Sequence, residues 1–304
     1  MGQGVDRLNW VTAPRELPAV PESGRIALVD VAFANKDNFE LHTLPFIERA
    51  GDRLVAWIDH HEHPAWVAYE RDPRFVLAPR QRARACPELI SPELVARLGP
   101  FEHLLAHADF DGLMSAVKLL GGGQAPYPEA DEDARAVDSP GRGFRLSPRG
   151  ERLARALDQA LVAQPASRLA LHTRLAEALL AGAEPPALAR ELDGLAAAWA
   201  AEEPRLAALA DQATRPHPEL LLLECGQIHA AHRKHVMCLM EARARVAVVR
   251  DDRGWITAGT FHDEGDRAVD LGALRGMDAI TGYAWGSAPL PRVLAELVKQ
   301  LAAG

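Results

Sequence analysis

The sequence predicts an α/β protein: a mainly parallel sheet with flanking helices, a helical connector, and a smaller C-terminal α/β domain. Three observations carry this. Short apolar runs alternate with helix-like segments through residues 1–146, the pattern of β-α units packed in layers. Residues 147–215 are rich in Ala, Leu, Arg and Glu, with apolar residues at helical spacing. Strand-like runs return in residues 216–304, and the chain closes on an amphipathic stretch.

Arg25 to Val29 reads as a strand ending at Asp30, and Leu44 to Ala50 as a helix. Arg53 to Ile58 is a second strand, ending at Asp59, and Pro87 to Leu98 a helix. His103 to Ala106 is a third strand, running into "HADFDG", with Val117 to Leu120 inside the helix that follows. A weaker fourth strand-like run, "ARAVD", ends at Asp138. Pro165 and the pair Pro185 and Pro186 punctuate three helices in the connector. In the last section "ELLLLE", "ARVAVV" and "WITAGTF" are strand-like, and "PLPRVLAELVKQLAA" is an amphipathic helix. No internal repeat is evident.

With 304 residues, 48% hydrophobic and 25% charged, the composition is that of an ordinary globular protein. A net charge of -8 argues against broad binding to duplex DNA, which needs many basic phosphate contacts. It leaves room for a small anionic substrate in a local basic pocket. Cys86, Cys225 and Cys238 form no CxxC pair, so neither a disulfide framework nor a thiolate metal site is expected. The first twenty residues lack the apolar core of a signal peptide, and no run approaches the ~20 apolar residues that span a membrane. The expectation is a cytoplasmic protein without membrane contact.

Strand-like runs end repeatedly in residues that bind metals: Asp30; Asp59, His60 and His61 in "WIDHH"; and His107, Asp109 and Asp111 in "HADFDG". Parallel strands bring such carboxyl ends side by side, where ligands of open α/β sheets bind. On an extended segment, the spacing of His107, Asp109 and Asp111 would put all three side chains on one side. Gly112 then permits a sharp turn into a helix. Carboxylates this close repel unless cations are present, and carboxylates with imidazoles suit Mn²⁺. Taken singly, "HADFDG" also reads as an acidic turn capping a helix, and "DHHEH" as an exposed polar turn.

These elements resemble the DHH phosphoesterase superfamily over roughly residues 25–145. The resemblance rests on "DHH" (Asp59, His60, His61), on "HADFDGLMSA" as the H-x-D-x-D-G-x-x-S-A element, and on "ALVD" as the single-aspartate strand. The order here is lone aspartate, DHH, D-x-D-G, a circular permutation of the family's usual order. The resemblance implies two Mn²⁺ ions, with Mg²⁺ or Co²⁺ as substitutes. His107 and Asp109 would serve one ion, His60 and Asp111 the other, with Asp30 bridging and Asp138 completing the second. Asp59 would orient neighbouring groups, and His61 would contact the phosphate. The C-terminal section resembles the family's substrate domain more faintly: "AITGYAWGSAP" has Gly282 and Gly286 but lacks the histidine of a Gly-Gly-Gly-His loop.

Other features are open to two readings. Arg71, Arg74, Arg80, Arg82 and Arg84 cluster after DHH, and Arg82 and Arg84 are the candidates for substrate phosphate. Tyr283 and Trp285 could stack on a base or pack in the core. "HAAHRKH" spaces His229, His232 and His235 too far round a helix for one zinc ion, and Arg233 and Lys234 could meet an anion. "LLGGGQ" lacks the P-loop lysine and reads as a helix cap and turn. "FHDEGD" holds the dipeptide of helical HD phosphohydrolases between strand-like segments, which argues against that site.

The resulting expectation is a Mn²⁺-dependent phosphoesterase acting on a phosphodiester in a small nucleotide or a short single-stranded oligonucleotide. Pyrophosphate or polyphosphate hydrolysis is the alternative reaction, and a nucleotide sensor without turnover the alternative class. A homodimer is compatible with the sequence.

Overall fold

The computed structural model describes residues 4–35, 38–138, 144–260, 269–280 and 282–303. The "FHDEGD" stretch lies outside the described residues from its Phe261 on. The chain divides into two compact units, Met1–Asp138 with Arg145–Ala196, and Ser139–Phe144 with Ala197–Gly304.

The first unit is built on five parallel strands, β1 (Leu8–Val11), β2 (Ile26–Val29), β3 (Leu54–Asp59), β4 (Phe75–Leu77) and β5 (His103–His107). Their order is β1-β5-β2-β3-β4. β2, "IALV", is buried at all four positions, as a central strand covered on both faces must be. Alternate residues serve opposite layers. Ala27, Val29, Ile58, Leu104 and Ala106 pack with Ile90, Leu94 and Leu98. Leu28, Trp57 and Leu105 pack with Phe33, Phe46 and Ile47, the last two from α1 (Leu44–Ala50). Trp57 is fully buried, and its indole N–H donates to the Val31 carbonyl at 2.7 Å.

The predicted helix over Pro87 to Leu98 is interrupted. A 3₁₀ turn covers Cys86–Leu89, and α2 (Pro92–Leu98) starts afresh. Proline pushes the preceding Ser91 out of the helical region, and the Ser91 hydroxyl instead caps Leu94 N–H at 3.2 Å. After β5 come α3 (Phe110–Leu120) and α4 (Ala130–Asp138). The "ARAVD" run is therefore helical, not a strand. Ala130 and Ala134, one turn apart, are fully buried in one core with Leu113 and Val117 of α3. The edge strands β1 and β4 were not predicted. Each is three or four residues long and only partly buried, which leaves a weak apolar signal.

The three connector helices are α5 (Pro148–Ala163), α6 (Arg168–Ala181) and α7 (Pro186–Ala210). α5 and α6 pack against α3 and α4 through Leu153, Leu157, Leu171 and Leu175. The "GGG" turn after α3 follows its reading as a cap. Gly123 has φ +86°, and a Cβ there would lie 2.4 Å from the Pro92 backbone nitrogen, so only glycine fits.

The second unit holds a mixed sheet of β6 (Thr214–His217), β7 (Leu220–Cys225), β8 (Val246–Asp251), β9 (Ile256–Gly259), β10 (Met277–Ile280) and β11 (Tyr283–Gly286). The order is β10-β11-β9-β8-β7-β6. β7 and β8 are parallel, joined by α8 (Ala230–Glu241), and the other pairings are antiparallel. The closing helix α9 (Leu290–Ala303) buries Val293, Leu297 and Leu301 against Leu220, Leu222 and Val248. Among the described residues, no helix is long and apolar enough to cross a membrane.

Candidate metal centre

The register of the first sheet assembles the site. β2 lies between β5 and β3, with Val29 beside Ala106 on one side and Ile58 on the other. The next residues along these three strands are Asp30, His107 and Asp59, so their side chains meet at one edge. The chain order also breaks between β2 and β5, the kind of switch point at which a crevice opens. Asp30 has φ +57°, a left-handed conformation that aspartate tolerates better than most residues. Its N–H donates to the Ile58 carbonyl at 2.8 Å, which holds the turn across the strand ends.

"HADFDG" is not extended throughout, so its three candidate ligands do not share one face of a strand. His107 ends β5, Asp109 caps α3, and Asp111 lies in the first helical turn. Asp109 Oδ1 accepts from Gly112 N–H at 3.1 Å, the capping role, while its Oδ2 stands 2.8 Å from His107 Nδ1. Gly112 lets this turn close. A Cβ there would fall 2.3 Å from the His107 carbonyl oxygen. Turning into the helix separates the ligands into two sets.

Three overlapping groups of donors result: Asp30 with His107 and Asp109; His60 with Asp111 and Asp138; and Asp30 with His60 and His61. His60 Nε2 lies 3.4 Å from a carboxylate oxygen of each of Asp30, Asp111 and Asp138. The other oxygen of Asp30 lies 3.6 Å from His107 Nδ1. Asp30 thus faces both imidazoles, one with each oxygen. Asp138 reaches the group from the end of α4, not from a strand.

The electrostatics are those of a site built for positive charge. Burial alone would lower the pKa of His60, but the carboxylates of Asp111 and Asp30, each 3.4 Å away, and the charge of Asp138 outweigh it and raise the pKa well above the ordinary value. His107 behaves likewise: burial opposes the charge, and Asp109 and Asp30 overcome it. Asp111 is pushed well above the carboxylate range by burial first, then by Asp30, Asp138 and Asp109.

The residues fit divalent ions. Both oxygens of Asp30 and Nε2 of His60 are buried without a hydrogen-bond partner, an arrangement that is costly unless something binds them. Donor atoms held ~2.1 Å from one ion lie roughly 3.0–3.4 Å from each other, close to the spacing around His60 Nε2. Oxygen and imidazole donors without thiolate suit Mn²⁺ or Mg²⁺. His60 Nδ1 lies 3.1 Å from the Ala83 carbonyl, to which it donates in the tautomer that leaves Nε2 a lone pair for an ion. The Cys86 backbone N–H similarly fixes Asp111 Oδ2 at 3.2 Å.

Of the remaining candidates, some flank this cluster and others lie apart from it. His61 Nδ1 lies 2.8 Å from Asp59 Oδ1, and Asp59 is fully buried. Arg80 is the arginine that bonds the cluster, with Nη2 2.8 Å from Asp138 Oδ2 and Nη1 donating to the Asp138 carbonyl at 3.0 Å. Arg82 lines a cavity of ≈ 280 Å³ with Glu70, Arg71 and Arg97, and the backbone N–H of Arg84 donates to Glu88. Nothing in the sequence ranks Arg80 above its neighbours, because its reach depends on where α4 ends. Removing a group that orients a metal ligand costs about 10–100-fold in affinity. If Asp138 helps to hold a divalent ion, Arg80→Ala is therefore expected to weaken that ion's binding by about that factor, as calorimetric titration would resolve. In the second unit, Tyr283 and Trp285 stand with ring centroids 5.5 Å apart. His229 caps α8, and His232 and His235 pack on Trp199.

The residues that carry the DHH resemblance stand together. No protein-family model and no curated protein matches the chain. Among solved structures it is similar to PggH from Vibrio cholerae, a pGpG-specific phosphodiesterase, at 13% identity and TM-score 0.48, over 92% of this chain and 99% of that one. It is also similar to exonuclease RecJ bound to manganese, at 17% identity and TM-score 0.39, over 91% and 74% of the two chains. RecJ from Thermus thermophilus in complex with Mg²⁺ matches at 18% identity and TM-score 0.33, and the chain spans 38% of its length.

Proposed function

We propose that this protein is a metal-dependent phosphoesterase that hydrolyses a phosphodiester in a short oligonucleotide or small nucleotide. Two Mn²⁺ ions would be held by Asp30, His107 and Asp109 on one side and by His60, Asp111 and Asp138 on the other. The observation that carries this reading is Asp30, a buried carboxylate whose oxygens lack hydrogen bonds and face His60 and His107. Such a pair of cations, when bound, neutralises charge developing on the phosphoryl group and makes water a nucleophile near neutral pH.

The protein's own groups supply orientation. Asp59 holds His61 through Nδ1, which leaves Nε2 to donate to a phosphoryl oxygen. His61 is the catalytic residue on this reading, and Asp59 a positioning residue. Arg80 keeps Asp138 in place as its carboxylate is drawn toward an ion. Exposure rises from zero at Asp30 and His60 to 29% at His107 and 40% at Asp109, so substrate approaches from the β5–α3 side.

A direct assay separates the alternatives. Bis(p-nitrophenyl) phosphate should be cleaved with Mn²⁺ and not with EDTA. Phosphate release from pyrophosphate alone would replace the diesterase with a phosphoanhydride hydrolase. Tight nucleotide binding with no turnover of either substrate would leave a sensor.

A further inference from the structure

We propose that the first unit binds a phosphoryl dianion, inorganic phosphate or a phosphomonoester, at the open edge of its sheet. The inference stands apart from the phosphoesterase reading. No candidate metal ligand lines this place, so a phosphoryl group held there is not one undergoing hydrolysis.

The frame is β4, the last strand of the sheet, with β3 on one side and no strand on the other. Trp57 N–H donates to the Arg74 carbonyl at 2.8 Å, and Ala78 N–H donates to the Asp59 carbonyl at 3.1 Å. Alternation along the strand therefore turns the backbone of Leu77 away from β3, with its N–H toward the open edge. A cavity of ≈ 280 Å³ lies along that edge, and Leu77 lines it. So do three arginines from separate stretches: Arg71 before β4, Arg82 in the loop after it, and Arg97 in the last turn of α2.

Charge decides the occupant. Among the described residues, none of these three guanidinium groups has an ion pair or a hydrogen bond. Asp72 also lines the cavity, but it is taken up by Arg74, whose Nε and Nη2 donate to it at 2.9 and 2.6 Å. Glu70 is the remaining carboxylate. Three guanidiniums against that one carboxylate leave two positive charges facing the cavity, in a chain whose net charge is -8.

Arginine forks and a backbone N–H are donors that suit phosphoryl oxygens, and a dianion balances the charge. A carboxylate or a phosphodiester brings a single negative charge and leaves half of it uncompensated. The volume is below the ~300–1,000 Å³ of drug-sized sites, so the occupant is small. An extended peptide is disfavoured as well, because Pro73 and Pro79 flank an edge strand of only three residues.

The test is calorimetric titration of the full chain, stripped of metal and then dialysed free of chelator, at fixed ionic strength. At about pH 8 a phosphomonoester, with its second pKa at ~6, is a dianion. Inorganic phosphate and methyl phosphate should each bind saturably, and the tighter of the two identifies the source the site is made for. Dimethyl phosphate, a monoanion of similar size, should bind at least about tenfold more weakly. Arg71→Ala and Arg97→Ala should each weaken phosphate by about tenfold, and Glu70→Gln should tighten it by about threefold. These side chains are exposed, so the variants keep the fold. The proposal is overturned by the absence of saturable binding of either dianion, by dimethyl phosphate binding as tightly, or by unaltered affinity in both arginine variants. Every arm is read without metal or turnover, so a failure here is distinct from a failure of the phosphoesterase assay.

Discussion

Replacing Asp30 with asparagine is expected to reduce Mn²⁺-dependent phosphodiester hydrolysis by about 10³-fold or more and to leave the chain folded. The two consequences have one origin. Asp30 is the residue whose oxygens face both imidazoles, so its charge serves both proposed ion sites. The same charge crowds Asp111, whose pKa it helps to raise, in a pocket already closed to water. Neutralising it relieves repulsion on Asp111 but also removes a partner of His60 and His107, so Asp30→Asn should melt near the wild-type temperature in EDTA. The wild type should gain stability on adding Mn²⁺, roughly 2.7 kcal/mol at a hundred times the dissociation constant, and the variant should lose most of that gain. Thermal melts with and without Mn²⁺, beside the hydrolysis assay, check both halves. A variant that loses activity but keeps the full Mn²⁺-induced shift would sink the bridging role of Asp30.

The metal-free protein should lose stability as pH rises, and Mn²⁺ should reverse that trend. His60 and His107 have pKa values raised in the fold, so their contribution is fully present below about 6.5 and is lost as pH climbs through the folded values. Asp111, also raised, has the same sign: its contribution is present below about 3.9 and is lost above. All three therefore favour the folded state in acid. Ligation needs the imidazoles neutral and Asp111 ionised, so metal binding releases protons and tightens with pH. Between about pH 6 and about pH 9 the melting temperature in EDTA should fall while the increment from Mn²⁺ grows. An increment independent of pH would show that these three groups do not bind the ion.

The sequence was most informative where chemistry and backbone regularity coincide. Parallel strands reveal their ends as the last residue of an apolar run, and Asp30, Asp59 and His107 could be placed side by side from that alone. Asp138 was singled out as the end of a strand-like run and as the later aspartate of the resemblance, but that run is helical. "ARAVD" is short and has an apolar pair before its aspartate, and its true period shows only through the buried Ala130 and Ala134. The break at Ser91 was foreseeable from Pro92, a signal that the apolar spacing of Pro87 to Leu98 overrode. Arg80, the Ala83 carbonyl and the Cys86 N–H could not be read at all. Their parts depend on loop paths between elements, which leave no periodic trace.

The turn within "HADFDG" has a consequence for the history of the protein. It sends one donor set inward, where His60, Asp111 and Asp138 are at most 12% exposed, and leaves His107 and Asp109 toward solvent. Ions at the outer set should exchange in step with the surrounding medium, whereas an ion at the inner set must wait for local opening. On the proposed two-ion reading, the inner ion would be a record of the metal present when the chain folded, and the outer one a reading of the metal present now. A sample refolded in Co²⁺ and moved to Mn²⁺ should hold one of each, and elemental analysis over time would follow the slower ion leaving.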